Sequence, residues 1–447
     1  MAVSWEKDLI QRIGAEHVRF DFESRSRLSK DYYWYSPVLK KRLDDKIADS
    51  IVFPTSESEV AQVLSFAAER RVPLTVRGAG TGNYGQAVPL EGGMVMDMSR
   101  LNRIKEIGDG YARVEPGVKL GILEREARRK GQELRIYPST FEKATVGGFV
   151  CGGSGGIGSI TWGSLWDGNV QEMTVLTMEV IPKKLKVSGD ELLHYIHNYG
   201  TNGVVTELVI PLAPRVDWAQ SIVSFPVFED CLLFADVLSK QDTIKKRLVS
   251  VNEWPIPKYF LPLKHVIVEG HAAVLLEIEE ASCIEVESLA EKFGGKWTFY
   301  ASAVNYRKTL GLSNFSWNHT TLWAIKTDPN MTYLQAGFDP DHFMEQSARI
   351  KTKYGDEVLL HYEWVRNAGI VMPQALPLVL FTSEERLYEI ILFCRRIGVR
   401  INDPHTWRLD EGGRGDRFVS MWTTKLENDP LGLLNPGKFG EPQDCLG

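Results

Sequence analysis

The sequence is poor in cysteine. Five Cys in 447 residues, at 151, 231, 283, 394 and 445, lie far apart and form no CxxC pair. That excludes a disulfide framework and offers no iron–sulfur or zinc site. Long apolar runs are missing as well, since no stretch approaches the roughly 18 apolar residues of a membrane span. The N-terminal MAVSWEKDLIQRIGAEH sets Glu6, Lys7, Asp8 and Gln11 where a signal peptide needs an apolar core. A cytoplasmic location is expected, with peripheral membrane contact left open. Excess positive charge is also absent. A net charge of -6 argues against a partner whose phosphates must be broadly neutralised, so nucleic acid is excluded.

What is abundant is glycine, and it is clustered. In Pro73–Leu101, PLTVRGAGTGNYGQAVPLEGGMVMDMSRL, the apolar run Leu74-Thr75-Val76 meets Arg77, and Gly78, Gly80, Gly82 and Gly85 follow within eight residues. Glycines this dense uncover backbone N–H groups and permit φ > 0, so successive amides can converge on an anion, with Arg77 and Thr81 as side-chain donors. The loop is not a Walker A loop, because no Lys-Ser or Lys-Thr follows. No amphipathic helix opens after Gly82 as a Rossmann turn requires. A second cluster, Thr145 to Gly158, holds seven glycines in twelve residues. Glycine weakens helices and strands alike, so close backbone approach to a ligand is the expected cause. A third cluster, Tyr199-Gly200-Thr201-Asn202-Gly203, opens into the apolar run Val204–Ile210.

Around these clusters the pattern is α+β. Ile51–Pro54 reads as a strand, Ser56 with Glu59 as a capping box, and Val60, Val63, Leu64 and Ala67 as one helix face. Strands follow at Leu74–Val76, Met94–Met98, Ala112–Glu115 and Met173–Ile181, with a helix over 119–130 and another capped by Ser188 and Glu191. Residues 1–46 read as a docking arm at the surface of the first domain. Beyond Pro214 glycine becomes sparse. Strands are expected at 219–225, 272–279, 321–326, 357–364 and 376–380, and helices near 227–240, 282–293, 340–354 and 383–397, which suits one antiparallel sheet with helices on a single face. The length favours two domains: 1–214, then 215–410, with 411–447 returning to the first.

The three clusters in order, together with Asn435-Pro436-Gly437-Lys438, resemble flavoproteins of the vanillyl-alcohol oxidase and p-cresol methylhydroxylase (PCMH) type. The motifs are PTSESEVAQVL, VRGAGTGNYGQAVPLEGGMVMDMSRLNRI, ATVGGFVCGGSGG and YGTNGVVTELVIPLAP, covering residues 47–214 and the last dozen. The resemblance implies a two-lobed FAD-binding domain and an antiparallel-sheet cap domain. It implies that Arg77, Gly78, Ala79, Gly80, Thr81, Gly82 and Asn83 wrap the pyrophosphate, and that Pro138, Ser139 and Thr140 line the approach to the flavin. Thr145, Gly147, Gly148, Gly152, Gly153, Gly156 and Gly158 would continue the cradle, with Gly203, Val204 and Val205 at the adenine or ribose end. Asn435 and Lys438 would return beside the ring, where a cation stabilises reduced flavin. Some members attach flavin through a His in the first loop or a Cys before the second; here those positions hold no His and Lys143, so non-covalent FAD is expected.

Within that family the chain is most similar to the glycolate oxidase flavin subunit and the D-lactate dehydrogenases. This implies an FAD-linked enzyme acting on CH–OH groups, oxidising a D-2-hydroxy acid by hydride transfer to flavin N5. Electrons would pass to a quinone, a carrier protein or oxygen. Two departures stand out: the Gly-Asp-Gly-Asn-x-His metal motif is missing, and Thr161-Trp162-Gly163 replaces Arg-Tyr-Gly. No metal is expected, although His319, His361 and Glu363 offer donor types for one. The alternatives are an alcohol, sugar or phenol oxidase using oxygen, and the flavin subunit of a larger electron-transfer complex; a homodimer is left open. His319, His361, His405 and Glu363 are the candidate catalytic residues. On strands His361 and Glu363 share a face, as do Trp317 and His319, and His near neutral pKa suits removal of a hydroxyl proton. Arg307, Lys326 and Arg366 are candidates to hold an anionic substrate.

Overall fold

The computed structural model describes residues 5–306, 311–411 and 418–440. The first lobe is a four-stranded sheet in the order Val18–Arg19, Ser50–Val52, Met94–Asp97, Leu74–Arg77, parallel except at its first strand. Helix Glu57–Arg70 covers it with Val60, Val63, Leu64 and Ala67, and Ser56 Oγ accepts from Glu59 N at 3.2 Å as the capping box requires. Residues 5–46 are not a peripheral arm. They add the edge strand and the helices Glu6–Ile13, Phe22–Leu28 and Pro37–Leu43, and they bury Tyr33 and Tyr35, because their aromatic side chains stabilise far more inside than out.

The second lobe is an antiparallel sheet ordered Ile104–Ile107, Tyr111–Val114, Val204–Pro214, Glu172–Leu176, Lys184–Ser188, with Gln132–Leu134 on the far end of its long strand. The third unit is an eight-stranded antiparallel sheet: Lys296–Ala301, Trp218–Phe225, Ala272–Glu279, Lys246–Asn252, His361–Asn367, Ile370–Ala375, Gln335–Gly337, Arg400–Asn402. Helices Phe228–Lys240, Cys283–Lys292, Phe343–Tyr354 and Glu384–Arg396 pack on one face through Val223, Phe225, Leu276, Tyr362 and Trp364. The expected strand at 321–326 is instead part of helix Asn318–Thr327. Its β-branched and aromatic residues suit a strand locally, but burial of Thr320, Thr321 and Ala324 on one helical face prevails over that preference. Among the described residues, no helix is long and apolar enough to cross a membrane.

The face of the large sheet turned away from the helices carries buried polar groups, and these bind the units together. Arg247 donates to Glu277 Oε2 at 2.6 Å and to Tyr306 OH at 2.5 Å, and lies 4.9 Å from the ring of Trp218. Trp218 Nε1 donates in turn to Glu133 Oε1 of the second lobe at 2.9 Å. Arg247 and Glu277 are both buried, so removing one partner strands the other's charge out of water. Arg247→Met is therefore expected to cost about 3–5 kcal/mol of unfolding free energy, read by urea denaturation. Adding Glu277→Gln is expected to recover part of that loss, and an equal or larger loss in the double variant would refute the assignment.

Candidate active site

A cavity of about 230 Å³ opens where the three glycine clusters, residues 31–35 and the edge of the large sheet meet. One water needs roughly 10–15 Å³ on that measure, so the space suits a large ligand. Gly78 to Asn83, Pro138 to Thr140, Thr145, Gly147, Gly148, Gly152, Gly153, Gly203 and Val205 line it, as do Arg77, Ser154 and Gly155. Gly156, Gly158, Val204, Asn435 and Lys438 do not.

The first loop is held from behind. Arg77 is buried and donates from Nη1 to Leu28 O (2.7 Å) and Lys30 O (2.8 Å), with Nη2 to Ala79 O at 3.3 Å. Its guanidinium thus ties residues 28–30 to the loop rather than reaching for a phosphate. Gly80 has φ +64°, and a Cβ there would stand 2.2 Å from Arg77 Nη2, so only glycine lets the loop fold over that group. With the loop so fixed, the amide N–H groups of Ala79, Gly80, Thr81, Gly82 and Asn83 find no acceptor among the described residues, and neither do those of Ser139, Thr140, Ser154 and Gly155. Half-buried donors without partners are costly unless a ligand meets them. A row of them suits a pyrophosphate.

The second cluster corrects one expectation. A Cβ on Gly147 would lie 2.5 Å from Pro116 Cβ, on Gly156 2.1 Å from Tyr137 O, and on Gly158 2.0 Å from Arg135 O. Protein packing, not ligand approach, accounts for Gly156 and Gly158, whereas Gly147 packs on Pro116 and also lines the cavity. Gly152 is the contrast: a Cβ would find only Gln86 Nε2, at 3.9 Å, and the residue lines the cavity.

Asn435 and Lys438 also work from behind. Asn435 Nδ2 donates to Gln86 O at 3.0 Å and to Tyr199 O at 2.7 Å, and its backbone N to Leu74 O at 2.7 Å, joining the strand Leu74–Arg77, the first loop and the third cluster. Lys438 is fully buried and donates to Gly85 O (2.5 Å) and Val88 O (3.1 Å). Burial draws its pKa below the usual lysine range against the pull of Asp31, whose own carboxyl is raised by burial. Asp31 reaches the cavity wall and accepts from Tyr33 N and Ala87 N.

None of the four candidate catalytic residues lines the cavity. His361 and Glu363 do share a strand face, with Nε2 and Oε1 at 3.1 Å, but both are buried beneath the segment Leu312–Trp317. There Glu363 Oε1 accepts from Trp317 N at 2.7 Å, Glu277 from Ser313 N at 3.3 Å and Gln220 from Leu312 N at 2.5 Å. These acceptors hold Trp317, at φ 53°, against the cavity wall. His405 commits Nδ1 to Ser36 Oγ and Nε2 to Tyr333 O. His319 sits on the helix, so it and Trp317 share no strand face. Arg366 pairs with Asp242, Lys326 lies over the ring of Trp323, and Arg307 falls outside the described residues. Among the described residues no His/Cys/Asp/Glu group could hold a metal ion.

The cavity wall instead contains His197, Tyr32, Tyr35 and Tyr84, with Asn318, Gln335, Gln374 and Asn402 on the cap side. His197 Nδ1 lies 2.8 Å from Gly153 O; a carbonyl only accepts, so that nitrogen carries the proton. Its φ is 56°; in the sequence the one signal for it is its place two residues before the third glycine cluster, Tyr199–Gly203.

A backbone-amide cradle suited to a dinucleotide, facing a polar wall from a separate sheet, is the architecture of a cofactor-dependent oxidoreductase, and similarity to known proteins identifies the cofactor as a flavin. The FAD binding domain family matches residues 48–179. The chain is 31% identical over 416 residues to a D-lactate dehydrogenase of Archaeoglobus fulgidus, covering 87% of this chain and 90% of that one. It is 29% identical over 425 residues to the glycolate oxidase subunit GlcD of Escherichia coli (strain K12), covering 87% and 83%. A solved alkyldihydroxyacetonephosphate synthase superposes with a TM-score of 0.73 at 15% identity, over 97% of this chain and 84% of that one, and shows the fold. The chain belongs to the PCMH-type FAD-linked oxidoreductases that include D-lactate dehydrogenase and the glycolate oxidase flavin subunit. Its cofactor is FAD, and it is an enzyme acting on CH–OH groups.

Burial, then Lys326 and Lys143, hold the His319 imidazole down to about 4. The unfolded chain takes up that proton near pH 6.5 and the folded chain only near 4, so stability is complete above about 6.5 and is lost as pH falls towards 4. Thermal denaturation against pH is expected to show this loss, and His319→Gln is expected to flatten it.

Proposed function

We propose that the chain oxidises a D-2-hydroxy acid, with residues 1–214 and 411–447 holding FAD and 215–410 supplying the substrate wall. FAD, once bound, supplies the two-electron acceptor. The observation that carries the choice of an acid is Arg400. Its exposed guanidinium lies over Gly337, where a Cβ would be 3.2 Å from Nη2. Gly337 pairs with Gln374 on one side and Arg400 on the other, so this cation stands beside two cavity-lining residues, Gln374 and Asn402. Arg400 is not itself a lining residue; a carboxylate that extends past Gln374 and Asn402 would meet a planar donor pair there. The names of similar proteins, a D-lactate dehydrogenase and a glycolate oxidase subunit, support the same reading. His361 and Glu363 act as positioning residues through Trp317.

We also infer that FAD is held without a covalent bond. Cys151 lines the cavity, but burial pushes its thiol up to about 12, leaving little thiolate to react.

Anaerobic bleaching of the flavin by D-2-hydroxy acids tests the substrate class, with dye and oxygen supplied separately to identify the acceptor; the relative's name as a subunit supports transfer to a partner. Arg400→Met is expected to raise KM about tenfold or more with a smaller change in kcat, and Arg400→Lys to fall between; an unchanged KM refutes the anchor. Acid precipitation is expected to release all the yellow colour to the supernatant, and a yellow pellet refutes the non-covalent assignment.

A further inference from the structure

Resting on that functional reading, we propose that the acid is polyhydroxylated, a sugar-acid type of 2-hydroxy acid read by carboxamides on the cap wall. Gln335 and Asn402 stand opposite one another across neighbouring strands, and Gln374 pairs with Gly337 beside them. Alternation places their side chains on the face opposite Ala336 and Ala375, which belong to the helix-packed core. All three line the cavity. Gln335 donates to Tyr84 OH. Gln374 and Asn402 commit their side-chain amides to no other described residue, and Asn318 Oδ1 is buried without a partner.

A carboxamide both donates and accepts, which matches a hydroxyl and is wasted on a methyl group. Polar atoms whose water a ligand displaces without replacing its hydrogen bonds cost free energy, so these half-buried carboxamides discriminate against a short acid such as lactate, whose tail is apolar. Trp317 and Tyr35 add aromatic surface to the same cavity, on which the C–H faces of a polyol pack. Hydroxyls beyond C2 supply partners for Gln374, Asn402 and Asn318, the carboxamides that Tyr84 does not already engage; a two- or three-carbon acid supplies none.

The test uses the oxidised holoenzyme and 2-keto acids, which bind as products without turnover, with the flavin's visible absorbance as the readout. A polyhydroxylated 2-keto acid (2-ketogluconate) is expected to bind about tenfold or more tightly than pyruvate. Gln374→Leu and Asn402→Leu are each expected to bring the ratio of the two affinities towards one. The kcat/KM ratio of D-gluconate to D-lactate is expected to follow the same order. Pyruvate binding as tightly, or a ratio that neither variant moves, overturns the inference. Flavin reduction by short 2-hydroxy acids alone overturns it while leaving the functional reading intact. Reduction by neutral polyols and by no acid overturns both.

Discussion

A loop that offers its amides to a ligand gives up the hydrogen bonds that would hold it in place, so something behind it must. In this protein that support comes from buried side chains that donate into the loop's carbonyls and those of its neighbours. Arg77 binds Leu28 O, Lys30 O and Ala79 O; Asn435 binds Gln86 O and Tyr199 O; Lys438 binds Gly85 O and Val88 O. Each takes the strong multivalent donors of one side chain and fixes segments distant in sequence. The cavity-facing amides stay open because their supports lie on the other side. Preorganisation of this sort lowers the ordering cost of ligand binding.

Much of the cofactor lobe was legible because a backbone cradle requires glycine, and glycine clusters are visible without a structure. The cause of each glycine was not. Gly152 stands open towards the cavity, whereas Gly147, Gly156 and Gly158 are fixed by contacts with Pro116, Tyr137 and Arg135, and both situations give the same letter. The motif marks Arg77, Asn435 and Lys438, but that their side chains are spent on the carbonyls of residues 28–30, 79, 85–88 and 199 carries no local signal. The aromatic run at 32–35 read as surface because burial by the rest of the chain cannot be seen from composition.

The cap wall was less legible. His361 and Glu363 were placed together by strand period, and they touch; what period cannot give is which layer covers that face. Here it is the segment ending at Trp317. The carboxamide wall comes from Gln335–Gly337 and Arg400–Asn402, strands of three residues each, too short to show alternation. Their neighbourhood is a matter of register between segments some sixty residues apart. Helix Asn318–Thr327 was missed because its β-branched residues misrepresent a site decided by tertiary burial.

The pairing of the strand at Leu74 with Leu434 also sets an order of events during synthesis. Asn435 is 349 residues beyond Gln86, the loop residue whose carbonyl it holds. At about 5–20 residues per second, a ribosome delivers it roughly 20–70 s after the loop has emerged. Through that interval the cradle lacks the brace that joins its first and third parts. A nascent chain is therefore a poor receptor for the cofactor until Asn435 has emerged and docked.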